Sequence, residues 1–129
     1  INDGSSDHTD EVVQGFIDEK VLEIQYIKQE NQGMHGAHNT AYENCKTVLN
    51  TCIDDDDKMP ENAVEVILEK WNALGEKQKR YSGIIALDAH FDGQIIGTAF
   101  STKSTTLEDF YLNGGSGDKK LIYRTGNNE

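Results

Sequence analysis

Apolar side chains recur every three or four residues through the first part of the chain, at Val13, Phe16, Ile17, Val21, Ile24 and Ile27. That is the spacing of one buried helical face, and it predicts a helix from about Asp10 to Glu30. Asp7 or Thr9 can cap its start. The run from Asn31 to Asn39 contains Gly33 and Gly36 and reads as a break. Thr40 and Glu43 then stand at capping-box spacing. The helix they open carries Ala41, Cys45, Val48, Leu49 and Cys52 on one side and ends near Ile53. Pro60 suits the first turn of a third helix, where its missing N–H costs nothing. Val64, Ile67, Leu68, Trp71 and Leu74 form its apolar stripe, and Gly75 closes it.

After Arg80 the period drops from three and a half to two. Ile85, Leu87, Ala89 and Phe91 alternate with Ile84, Ala86, Asp88 and His90. The pair Asp92-Gly93 reads as a two-residue hairpin turn, with positive φ expected at both positions. Folding back there sets Ile85 opposite Phe100, Leu87 opposite Thr98 and Ala89 opposite Ile96. Asp88 and His90 fall on the other, wetter face. Residues 107–113 suit a helix or a strand, because Thr105 and Glu108 match a capping box while Phe110 and Tyr111 favour sheet. Lys119 to Thr125 reads as a final strand.

The expected fold is therefore α+β: three N-terminal helices packed on a C-terminal antiparallel sheet of three to four strands. Residues 1–8 are small and polar and are expected to be disordered, and 129 residues suit one domain over 9–129.

Charge changes the picture more than composition does. The net charge is -11, and residues 1–61 hold 14 acidic against 4 basic side chains. That leaves the remainder of the chain close to neutral. Such a face repels nucleic acid and anionic membrane and attracts a basic protein partner. No apolar run approaches the roughly 20 residues of a membrane helix, so no membrane insertion of this chain is expected. The opening at Ile1, followed by a polar run, fits a secreted, periplasmic or other extracytoplasmic chain, or a piece of a larger receptor. Cys45 and Cys52 are seven apart, a rise of about 10.5 Å on one helix. They read as buried thiols acting as small hydrophobes, with a disulfide around a kinked helix end as the alternative.

Candidate chemistry is sparse. Asp88 to Ile95 resembles the first eight positions of an EF-hand calcium loop, but His90 and Ala99 stand where that family needs oxygen donors. The hairpin over residues 81–102 also resembles the strand–Asp-Gly–strand unit of PAS and Cache sensor domains, which implies a ligand-sensing module. His35 and His38 offer two imidazoles to a metal, with Glu30 and Glu43 as the nearest acidic partners. Asp54, Asp55, Asp56 and Asp57 form a charge run that reads as a solvated loop and as a possible binding surface. Asp88 and His90 share a face and suit acid–base work in a pocket. No phosphate loop, dinucleotide fingerprint or Gly-x-Ser-x-Gly is present, so no cofactor is expected.

The leading expectation from sequence is a non-enzymatic, inhibitor- or immunity-like binding protein whose acidic helices meet a basic protein. The alternatives are an extracytoplasmic small-ligand sensor and a small enzyme or metal-binding protein.

Overall fold

The computed structural model describes residues 1–54 and 56–126. The fold is mixed helix and sheet, in two compact units, 1–46 and 47–129.

The first unit begins with structure where none was expected. Strand β1 (Asn2–Asp3) runs parallel to β2 (Lys28–Gln29), with Asn2 opposite Lys28 and Asp3 opposite Gln29. Asn2 is 3% exposed, and its N–H donates to the Ile27 carbonyl at 2.8 Å. Burial of the Asn2 amide and its hydrogen bonds overcomes the polar composition that suggested disorder. Parallel neighbours need a long crossover. Here it contains α1 (Thr9–Glu19), so the segment is a β-α-β turn of chain. The Asp7 carboxylate accepts the Thr9 N–H at 3.0 Å at the start of α1.

Helix α1 is much shorter than its apolar spacing predicts. It stops at Lys20, whose φ of 54° is left-handed and whose N–H turns back to the Ile17 carbonyl. Beyond it Val21 and Leu22 are exposed, while Ile24 and Tyr26 alternate inward on the way to β2. Period two wins over period 3.6 in that stretch. Helix α2 (Gly33–Asn44) starts well before Thr40. The Asp3 carboxylate accepts the Gln32 N–H at 3.0 Å, and the Asn31 side chain accepts that of Gly33 at 3.2 Å. These two acceptors serve the helix's N-terminal amides, so the Thr40–Glu43 capping box is not used. Helix α2 ends before Cys45, which is half-buried in extended backbone, and Cys52 is exposed. The two cysteines therefore do not share a buried helical stripe.

The second unit is built on an antiparallel sheet in the order β3-β5-β4, formed by Leu49–Asn50, Lys119–Arg124 and Gly83–Leu87. Ile84 stands opposite Ile122 and Ile85 opposite Leu121. Gly83 is needed where β4 meets β5, because a Cβ there would lie 1.9 Å from the Ile122 carbonyl oxygen. Helix α3 (Ala63–Asn72) packs against β4. Its inward positions are Ala63, Ile67 and Trp71, at strict i, i+4 spacing, whereas Val64 and Leu68 are exposed. Trp71 and Ile122, each 3% exposed, form the core among the described residues. A 3₁₀ turn (Gly75–Arg80) leads from α3 into β4, where the Gln78 amide donates to the Trp71 carbonyl at 2.9 Å.

The Asp92-Gly93 turn is present, with a different geometry and a different partner strand. The Gly93 N–H donates to His90 O at 2.8 Å and the His90 N–H to Gln94 O at 2.9 Å. Of the pair, Gly93 alone has positive φ, +87°, which fits a three-residue loop closed by a left-handed glycine. Ala89 pairs with Ile95 instead of Ile96. The ladder then ends, and Ile85 and Leu87 pair with Leu121 and Lys119 of β5. The ambiguous segment is a helix, α4 (Leu107–Leu112), capped by the Thr106 hydroxyl, which accepts the Asp109 N–H at 3.0 Å.

Candidate active site

Among the described residues, one group of polar side chains stands out in each unit. In the first unit the Asp10 carboxylate accepts from Asn2 Nδ2 at 2.9 Å and from the Tyr26 hydroxyl, and pairs with the Lys28 ammonium. Asn2 Nδ2 also donates to the Tyr26 oxygen at 2.6 Å. The Lys28 and Tyr26 donors hold the Asp10 carboxyl below its ordinary value of 3.8, and Asp10 in turn raises the Lys28 ammonium above 10.5. Asp3 is held low first by the Gln32 backbone amide and then by the Gln29 side chain. These carboxylates are occupied in binding β1 to β2 and to the start of α2. Their arrangement positions backbone.

The second place is a cleft of about 580 Å³ in the second unit. The segment before α3, the end of β4 and the turn after it form its walls. Asp57, Lys58, Asp88, His90, Phe91 and Lys120 supply its polar and aromatic lining, over a floor that includes Ile67 and Ile122. Lys120 pairs with Asp57 at 3.0 Å. That hydrogen bond raises the Lys120 ammonium above its usual 10.5, and Asp88 and Asp54 add to the same field. The Lys120 ammonium therefore stands in the field of three carboxylates, Asp57, Asp88 and Asp54. Strand register brings Lys120 to the end of β4 that leads into Asp88, since Ala86 stands opposite Lys120 on the antiparallel partner.

The cleft unites three of the residues singled out from sequence: Asp57, Asp88 and His90. Asp54 and Asp56 are exposed beside it and are not among its lining residues, and Asp55 lies outside the described residues. His35 and His38 sit one turn apart on α2, with His38 against the Tyr42 ring at 6.0 Å between centroids. Among the described residues no three His, Cys, Asp or Glu side chains group to hold a metal, so Glu30 and Glu43 do not complete a site around these imidazoles. Lys120 and Phe91 had no site signal in the sequence. Lys120 lies far along the chain, and Phe91 reads as a core residue of the hairpin, yet it is 90% exposed.

A second groove of about 540 Å³ follows β4 and β5 on a surface lined by Arg80, Ser104, Thr106, Asp109 and Tyr123. It brings one acid and one base into view and none of the residues expected to act.

Two carboxylates, an imidazole and two ammonium groups in one mostly apolar cleft can exchange a proton with a hydroxyl and hold an anion. Residues 1–90 match the model of glycosyl transferase family 2. The chain is also similar to Glycosyltransferase GlyA of Streptococcus pneumoniae serotype 4, 36% identical over 72 residues, which are 54% of this chain and 10% of that protein. The match thus spans about a tenth of the curated relative's length. No solved structure matches the chain. These findings overturn the expectation of a non-enzymatic, inhibitor- or immunity-like protein, and with it the sensor-domain alternative. The acidic bias and the hairpin that suggested them are features that any soluble fold can carry. Matched over more than two thirds of its length, the chain belongs to glycosyl transferase family 2.

Proposed function

We propose that the chain takes part in sugar transfer and that the cleft of the second unit is where the acceptor hydroxyl reacts. The observation that carries this reading is the family match over residues 1–90, which takes in Asp57, Asp88 and His90 of that cleft. We also read the second unit as α+β, with α3 covering one side of its antiparallel sheet.

The chemistry asked of the site is a displacement. The acceptor oxygen attacks the anomeric carbon of an activated sugar, the bond to the leaving group breaks, and that group departs with the electron pair. The acceptor proton must go to a base. Asp88 fills that role best, since Asp57 is engaged by Lys120. Lys58 lines the same cleft and offers positive charge to an anionic leaving group. His90 can hold a sugar hydroxyl by hydrogen bonding. The Lys120–Asp57 pair sets the floor charge and keeps the segment before α3 against β5.

The test is a transfer assay on the full chain with a panel of activated sugars, both nucleoside diphosphate sugars and lipid-linked sugar phosphates. Sugar transfer from at least one donor is expected, slowed about 100-fold or more by Asp88→Asn, the scale of a lost general base. Transfer that Asp88→Asn leaves intact would remove the cleft from the reaction.

A further inference from the structure

We propose that Phe91 is the stacking platform for the acceptor sugar, a role that rests on the sugar-transfer reading above. Three observations meet at this residue. Phe91 is 90% exposed, although it is among the largest apolar side chains in the unit. A single exposed apolar residue needs no explanation by itself. This one, however, stands on a turn fixed by hydrogen bonds. The His90 N–H donates to Gln94 O at 2.9 Å, the Gly93 N–H to His90 O at 2.8 Å, the Gln94 N–H to the Asp92 carboxylate at 2.9 Å and the Ile96 N–H to Asp88 O at 2.9 Å. The ring is therefore presented on a preorganised support. It also lines the cleft that holds Asp88 and His90.

A pyranose has two chemically different aspects. Its axial C–H groups make an apolar face that an aromatic ring covers, and its rim carries hydroxyls that need hydrogen-bond partners. Phe91 meets the first requirement, and Asp88 and His90, on the same turn, meet the second. A sugar lying on Phe91 presents a hydroxyl to the carboxylate that takes its proton. That sugar is the acceptor.

Saturation-transfer NMR and titration of the full chain with methyl β-D-galactopyranoside and methyl β-D-glucopyranoside test the assignment. Neither glycoside carries a leaving group, so each can act only as an acceptor analogue. Saturation is expected on the axial protons of the bound glycoside, with affinity falling roughly tenfold in Phe91→Ala, the upper scale of an aromatic contact. Phe91→Trp should hold affinity within about twofold, while Phe91→Leu should behave as Phe91→Ala, which separates stacking from apolar bulk. Binding that ignores all three changes overturns the platform, as does failure of the unaltered chain to bind either glycoside. The donor assay on the same samples separates the two claims. Phe91-dependent saccharide binding without sugar transfer would leave the platform and remove the reading beneath it. Sugar transfer with binding indifferent to Phe91 would do the reverse.

Discussion

Asp10 collects hydrogen bonds from Asn2 and Tyr26 and an ion pair from Lys28, and its carboxyl is held below 3.8 as a result. A group whose folded pKa is depressed contributes stability above its unfolded value and loses it as pH falls through the folded one. The β1–β2 pairing should therefore be intact at neutral pH and weaken as pH falls through the depressed folded pKa of Asp10, with Asp3 acting in the same direction. Carboxyl-carbon NMR should place the Asp10 midpoint below 3.8, and Lys28→Met should move it upward. An unmoved midpoint would show that Lys28 does not hold the carboxylate. Lys120 has the opposite sign. Its folded pKa is raised above 10.5, so its contribution is complete below that value and is lost as pH rises through the folded one. Asp57→Asn should lower the Lys120 titration. The turn that carries Asp88 and His90 was legible in the sequence, but alternation does not separate its faces, since Leu87, Asp88, Ala89, His90 and Phe91 all line one cleft. Lys120 was not, because only the pairing of Ala86 with Lys120 brings it to the same place.

At the scale of elements, the turn is the part that local chemistry specifies best. Gly93 holds φ at +87°, so Gly93→Ala should destabilise the second unit by about 1–2 kcal/mol, the cost of a left-handed non-glycine residue. Gly83→Ala places a methyl 1.9 Å from Ile122 O and should cost about 1–3 kcal/mol or part β4 from β5. Trp71→Ala removes one of the two buried core side chains among the described residues and should cost about 3–5 kcal/mol, read as a drop in the urea midpoint. Thr106→Ala should cost α4 about 1 kcal/mol. The strand that pairs with β4 was not legible, because Ile95 to Phe100 and Leu121 to Tyr123 are equally good apolar partners. Long-range register decided it. The stretch after α1 was misread for a related reason: Val21, Ile24 and Ile27 fit a helix, and only the left-handed Lys20 ends it.

At the scale of the whole molecule, the acidic balance of the first half pointed to a binding partner, and the family match points to an enzyme. Charge distribution speaks to solubility and encounter, while function lives in a site. The β1-α1-β2 crossover was hidden because a short polar opening carries no hydrophobic signal, even though Asn2 is buried and bonded. The most direct measurement compares the cleft at Asp88 with the groove along β4 and β5 in one assay. Transfer of a labelled sugar is followed for the unaltered chain, for Asp88→Asn and for Asp109→Asn, an acid lining the other groove. A loss of about 100-fold or more is expected for Asp88→Asn and a change within about twofold for Asp109→Asn. Equal rates in Asp88→Asn and the unaltered chain, or a loss confined to Asp109→Asn, would contradict a reaction at Asp88.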